Sequence, residues 1–225
     1  MTDEVEDFRK EFLAEVQHAE CLCFAVRAVE LQQQAVKDLK NLKEKARQLK
    51  GKIVANRLED LANQMFSYEN ALQALSCELE MWVALKEDKA DVAWDALVEA
   101  QTSARLALIA HNISGHLVGY LKRLKMLEIL LFPAMQFLSV GVLVKKSTCS
   151  ICAEEYGDCG HLKGKVYMGE ICAREIVDAH LIETSFVDEP TNRHCRVMHF
   201  TEGGITRDVL TWRIVTTGSS NASCS

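Results

Sequence analysis

Only two prolines occur in the 225 residues, Pro133 and Pro190. A proline inside a helix removes a backbone donor and clashes with the preceding turn, so nothing of that kind interrupts residues 1–132. Glycine is sparse in that stretch too, which leaves it free to be helical. Long apolar runs are missing as well. The longest, Ile129 to Val144, is broken by Pro133, Gln136 and Ser139 and falls short of the roughly 20 residues a membrane-spanning helix needs. It reads as core, and no membrane partner is expected. The opening, Met1 to Lys10, is acidic and lacks the basic-then-apolar order of a secretory signal, so a cytoplasmic location is expected. Positive charge is not in excess either. Lys and Arg total 26 against 32 Asp and Glu, a net charge of -6. That balance argues against a general polyanion binder, whose affinity comes from clustered bases on phosphates.

What is present divides the chain into two. A hydrophobic fraction of 48% with 26% charged residues is that of a folded protein and excludes wholesale disorder. Leu58, Leu61, Met65, Tyr68, Leu72, Leu75, Leu79 and Trp82 recur at spacings of three and four, one stripe on a helix and a coiled-coil-like seam. An equivalent stripe runs through Phe8, Phe12, Val16, Ala19, Cys23 and Val26 and resumes at Val36, Leu39, Leu42, Leu49 and Ile53. Gln32, Gln33 and Gln34 interrupt this pattern without breaking the helix. The first hairpin should then measure about 50 Å or more at 1.5 Å per residue. Asp88 or Asp91 could cap a third, alanine-rich helix with Ala93, Leu97, Ala100, Ala104 and Leu108 inward. Ser114 could cap a fourth through Leu117, Leu121, Leu124 and Leu131. Beyond Pro133, branched residues between glycines predict strands at Phe137–Val144, Lys165–Met168, Leu181–Val187, Cys195–Phe200 and Val209–Val215. Cys172–His180 reads as helix. The expected fold is therefore α+β: an antiparallel helical bundle over 1–132, a β-rich module over 133–217, and a small polar tail over 218–225 that should be disordered.

Nine cysteines in a reducing cytosol do not suggest disulfides. Cys21, Cys23 and Cys77 are scattered, whereas Cys149, Cys152, Cys159, His161 and Cys172 fall close together. Cys149 and Cys152 form a C-x2-C pair, a spacing that aims two thiolates at one ion, and a tetrahedral structural zinc site takes four ligands. Five candidates thus compete for four places. Cys149, Cys152 and Cys172 with either Cys159 or His161 is one set; Cys149, Cys152, Cys159 and His161 is the compact alternative. With no position left for water, such a Zn2+ site serves folding and not catalysis. His194, Cys195 and His199 form a smaller group for which a structural role is expected.

The run CSICAEEYGDCGHLKGKVYMGEIC and the following LIETSFVDEPTNRHCRV resemble, over residues 137–197, the zinc-insert region of phage head-maturation (prohead) serine proteases. In that family a Ser-x-Gly strand precedes the insert and a Glu-x-Ser-x-Val-x-x-Pro strand follows it. This chain has Ser139, Val140 and Gly141, then Glu183, Ser185, Val187 and Pro190. The resemblance implies a serine nucleophile at Ser139 in a small β domain. The family's histidine base lies on earlier strands, where this chain is helical, and an unassisted serine is a weak nucleophile. Arg105 and His111, spaced R-x5-H, resemble the pair of helical-bundle ribonucleases of the HEPN type. Lys37, Lys40, Lys43, Lys45, Arg47, Lys50 and Lys52, with Lys122, Arg123 and Lys125, could face nucleic acid. Interleaved Asp38 and Glu44 suggest a solvated face instead. The expectation drawn from all this is a non-enzymatic assembly, scaffold or recognition protein. The seam from Leu58 to Trp82 would carry a homo-oligomer or protein contact, and nucleic acid is the less favoured partner.

Overall fold

Stripes at three-and-four spacing become helices because that period gathers apolar side chains on one face. The computed structural model describes residues 2–24 and 27–215. Five α-helices occur among them: α1 Thr2–Glu20, α2 Val29–Ala55, α3 Glu59–Lys86, α4 Ala90–Ala110 and α5 Leu117–Leu131. None is long and apolar enough to cross a membrane. Helices α2 and α3 form an antiparallel hairpin closed by Asn56, Arg57 and Leu58. Arg57 takes a left-handed φ of 56°, and its N–H donates to the Val54 carbonyl at 2.9 Å, a C-terminal cap. Each arm is about 40 Å long, shorter than the hairpin read from the sequence, because the first stripe is not one helix.

That helix ends at Glu20 and restarts at Val29. Gln32, which is fully buried, explains the break. Its side-chain amide donates to the carbonyls of Leu22 at 2.7 Å and Phe24 at 3.1 Å, satisfying groups that a continuous helix would have bonded internally. Helix α1 then runs back along α2, with Lys52 paired to Glu4 and Lys45 to Glu11. Phe8 and Phe12 pack on Tyr68 with ring centroids 5.9 and 4.5 Å away. The stripe from Met65 to Leu79 lies in the same core as Phe8, Phe12, Leu39, Leu42 and Ile53, so its face is occupied within the chain. Val26 lies outside the described residues.

Helix α4 joins a second core through Ala93, Trp94, Leu97, Ala100 and Ala104, with Met81, Leu124, Phe132 and Phe137. The expected caps are not caps. Lys89 precedes α4 without capping it through its side chain; Asp88 instead accepts from both Nη atoms of Arg213 at 2.6 and 3.0 Å, and Asp91 accepts from Arg196. These carboxylates hold the C-terminal half to the bundle. Ser114 ends a short 3-10 turn, Asn112–Ser114, where its buried hydroxyl lies 2.6 Å from that of Ser67.

Six strands follow among the described residues: β1 Phe137–Cys149, β2 Val166–Tyr167, β3 Glu170–Ile171, β4 Arg174–Val187, β5 His199–Glu202 and β6 Ile205–Asp208. They pair antiparallel as β1 with β4, β2 with β3 and β5 with β6. The architecture is α+β. Helix does not form over 172–180 as expected, because the backbone there bonds to a β1 that continues to Cys149, from Phe137↔Val187 to Cys149↔Arg174. Ile176, Val177, Leu181 and Ile182 suit a pleated strand. The strands read over Lys165–Met168 and Cys195–Phe200 shrink to Val166–Tyr167 and to His199 onward. Over Val209–Val215 only a bridge of Ile214 to Arg207 remains. The tail over 218–225 lies outside the described residues.

The β1–β4 ribbon is rooted in the second core by Phe137 and Val187. Beside it, Leu138 N–H donates to the Cys195 carbonyl and Val197 N–H to that of Gln136, both at 2.8 Å. Arg193 lies 5.0 Å over the Trp94 ring and donates to Gln101 and Glu128. The opposite end of the ribbon carries the cysteines.

Candidate metal centre

Strand β1 delivers Cys149, and the chain turns sharply after it. Ala153, at φ 60°, closes the turn by donating its N–H to the Cys149 carbonyl at 2.8 Å, while Cys149 N–H donates to Glu154 O at 2.9 Å. The turn brings Cys152 back toward Cys149 and aims the Ile151 N–H at the Cys149 sulfur, 3.4 Å away. Two tyrosines fix the next loop: the hydroxyl of Tyr156 accepts from Lys163 N–H at 2.9 Å, and that of Tyr167 from Leu162 N–H at 3.0 Å. The His161 ring stands edge-on to Tyr167, centroids 4.7 Å apart. Cys172 is set by reciprocal backbone bonds, its N–H to Lys165 O at 2.9 Å and its carbonyl from Gly164 N–H at 2.8 Å.

The ligand atoms of Cys149, Cys152, Cys159 and His161 all lie within 4.8 Å of one another, a grouping that could hold a metal ion. Cys172 Sγ stands beside this set, 3.8 Å from Cys149 Sγ, with Cys149 and Cys172 both buried. Four of the five donors picked from the sequence thus form the mutually close set, and the fifth, Cys172, touches it at Cys149. Two observations fit a cation. His161 Nδ1 is buried without a hydrogen-bond partner, and such an atom is costly unless something coordinates it. The 3.8 Å sulfur separation far exceeds a disulfide bond and equals the about 3.8 Å between two thiolates bound tetrahedrally to one ion at ~2.3 Å. Burial pushes the Cys149 thiol up, but the N–H groups of Cys152 and Ile151 and the thiols of Cys159 and Cys172 outweigh it and bring Cys149 down to about 6. Burial and the neighbouring Cys149 push Cys159 and Cys172 up. Thiols this crowded ionise together only with a positive charge among them.

The bundle supports this centre at one point that the sequence did not reveal. The β2–β3 turn, Met168 and Gly169, rests on the α2–α3 hairpin: Gly169 N–H donates to Asn63 Oδ1 at 2.8 Å, and Lys50 Nζ donates to Gly169 O at 3.2 Å. Gly169 has φ +77°, and a Cβ there would meet Lys50 Cδ at 2.8 Å and Ala62 O at 3.0 Å. Gly169→Ala should therefore destabilise the protein by about 1–3 kcal/mol through backbone strain and the clash. Gly164→Ala, with φ +84° but open space around it, isolates the strain component. Urea unfolding of the two variants measures the difference, and equal losses would show that the docking contact contributes nothing.

The other candidates are dispersed. His194 Nδ1 pairs with Asp95 of α4 at 3.0 Å and His199 faces Asp208 across β5–β6, so these do not join a metal grouping among the described residues. Ser139 lies opposite Ser185 in the ribbon, and among the described residues no histidine hydrogen-bonds it. His180 sits opposite Leu143, four residues along β1. His111 accepts the Ile113 N–H through Nδ1 at 3.1 Å and places Nε2 3.5 Å from Asp60. Arg105 lines a separate cavity beside Trp94, Glu128 and Phe132. Several lysines of α2 are paired: Lys40 with Glu80 and Lys50 with Glu69, besides Lys45 and Lys52. Comparison with known protein families, curated proteins and solved structures finds no match for this chain.

Proposed function

We propose a non-enzymatic assembly or recognition protein in which a structural zinc ion secures the far end of a two-stranded binding arm. The observation that carries this reading is the ribbon itself. Nine large apolar side chains on it, Leu138, Val140, Val142, Leu143, Ile176, Val177, Leu181, Ile182 and Phe186, are each 39 to 69% exposed. An isolated pair of strands is marginal in water, and contiguous exposed apolar surface marks an interaction site. Clamping both ends, one in the Trp94 core and one at the thiol cluster, lets such a surface persist. Cys149, Cys152, Cys159 and His161 would hold the zinc, with Cys172 as the competing fourth ligand, and a closed thiolate and imidazole set supplies structure, not a reactive water.

The serine peptidase reading keeps one support, the motif around Ser139, and has against it that no histidine hydrogen-bonds Ser139 among the described residues. A fluorophosphonate probe distinguishes the two. Zinc-loaded protein should show no labelling that Ser139→Ala removes, whereas Ser139-dependent labelling would replace this proposal with the enzymatic one. Four of the α2 lysines, Lys40, Lys45, Lys50 and Lys52, are already paired with carboxylates of α1 and α3, which favours a protein partner over nucleic acid.

A further inference from the structure

The two edges of the ribbon differ. The outer edge of β1 is closed near both ends, by Cys195 and Val197 at one and by Tyr156 N–H to Ser147 O at the other. Strand β4 has β1 as its one strand neighbour among the described residues, so its outer edge presents unpaired backbone groups over Arg174–Val187. Lysine and proline are two of the devices that guard such an edge, and β4 contains neither, its charges being Arg174, Glu175, Asp178 and Glu183. The unpaired Val177 and Ile182 bulge the ribbon against β1 and increase its twist without covering the edge.

We propose that this edge pairs antiparallel with β4 of a second copy about a two-fold axis at Leu181, joining two ribbons into one four-stranded sheet. The inference rests on the reading of the ribbon as a binding arm and names its occupant. The charge pattern selects the copy. About Leu181, Arg174 falls opposite Asp188, Glu175 opposite Val187, Asp178 opposite Thr184 and Glu183 opposite Ala179, while Ile176 meets Phe186. Every charge then faces an opposite or neutral residue, and the apolar pairs are cross-strand neighbours. The other axes between Asp178 and Glu183 do worse. Ala179 opposes Glu175 to Glu183, Ile182 opposes Glu175 to Glu189, Asp178 or Glu183 opposes a carboxylate to itself, and His180 forgoes the pairing of Arg174 with Asp188. An isologous two-fold contact of this kind closes on itself and does not propagate into a fibre. It also lifts the strand number from two to four, beyond the threshold at which a sheet is stable in water.

Light scattering on size-separated protein at micromolar concentration tests this. Wild type should have the mass of two chains. Leu181→Lys and Leu181→Asp, each at a side chain 67% exposed and so compatible with folding, should each raise the dissociation constant at least about tenfold, because like charges meet at the axis. Mixing the two variants should restore the two-chain mass, since lysine then faces aspartate. Far-UV circular dichroism confirms that both variants are folded. A wild type of one-chain mass, a Leu181→Lys that stays dimeric, or a mixture that fails to reassociate overturns the proposal. If wild type is monomeric yet retains zinc and resists the serine probe, the binding-arm reading stands and the self-pairing fails.

Discussion

Cys149→Ser should abolish stoichiometric metal retention and release residues 150–173 to protease, while the helical signal of the bundle stays intact. Cys149 is the donor with most at stake. It belongs to the mutually close set, is the sulfur 3.8 Å from Cys172, and is held by the last residue pair of the ribbon. Losing a ligand should lower metal affinity by more than the roughly 10–100-fold that loss of a supporting partner brings. Because structural zinc binding is coupled to folding free energy, local order in β2, β3 and the loops between Cys149 and Cys172 should fall with it. Limited proteolysis, metal analysis and circular dichroism together read the outcome. Cys21→Ser, at an exposed thiol far along the chain, is the control expected to change nothing. If Cys149→Ser keeps full metal content, the ligand assignment is wrong.

The second large effect lies in the bundle. Glu78 is completely buried and receives both Nη atoms of Arg123, each at 2.6 Å. Burial raises the Glu78 carboxyl above its ordinary value, with Arg123 opposing. Arg123→Leu removes that opposition and should destabilise the protein by about 3–5 kcal/mol, the usual consequence of leaving a buried charge unpaired. Glu78→Leu together with Arg123→Leu should recover most of the loss, since well-packed apolar pairs often replace buried ion pairs neutrally. The pH response has a definite sign. In Arg123→Leu the folded Glu78 pKa lies above its unfolded value, so the penalty is full above the folded pKa and shrinks as pH falls through it toward the ordinary carboxyl range. Urea melts at neutral and mildly acidic pH measure this. A loss below about 1 kcal/mol, typical of exposed pairs, would show that the pair is not stabilising the core.

How far the sequence could be read depended on whether the deciding interaction was local. The α3 and α4 stripes and the thiol cluster are encoded by spacing, and they stand where spacing put them. The break after Glu20 depends on Gln32 reaching back to Leu22 and Phe24, a tertiary contact that looks like a polar interruption of a helix. The stretch after Cys172 carries apolar residues compatible with either period, and pairing with β1 decided for strand. Asp88 and Asp91 had the chemistry of helix caps, but Arg213 and Arg196, more than 100 residues away, claimed them. The seam from Leu58 to Trp82 looked outward in one dimension. In three dimensions α1 folds over part of it, and the exposed apolar surface passes to the ribbon. The supports of the metal centre, Asn63, Lys50, Tyr156 and Tyr167, had no local signature at all.

Metal analysis of the purified protein, with thermal melting before and after a chelator, bears most directly on the whole account. About one equivalent of zinc, with a clear fall in melting temperature once it is stripped, is the result predicted from an imidazole grouped with three thiols, its Nδ1 buried and partnerless. Less than about half an equivalent of any transition metal, with a melt the chelator leaves unchanged, would contradict it.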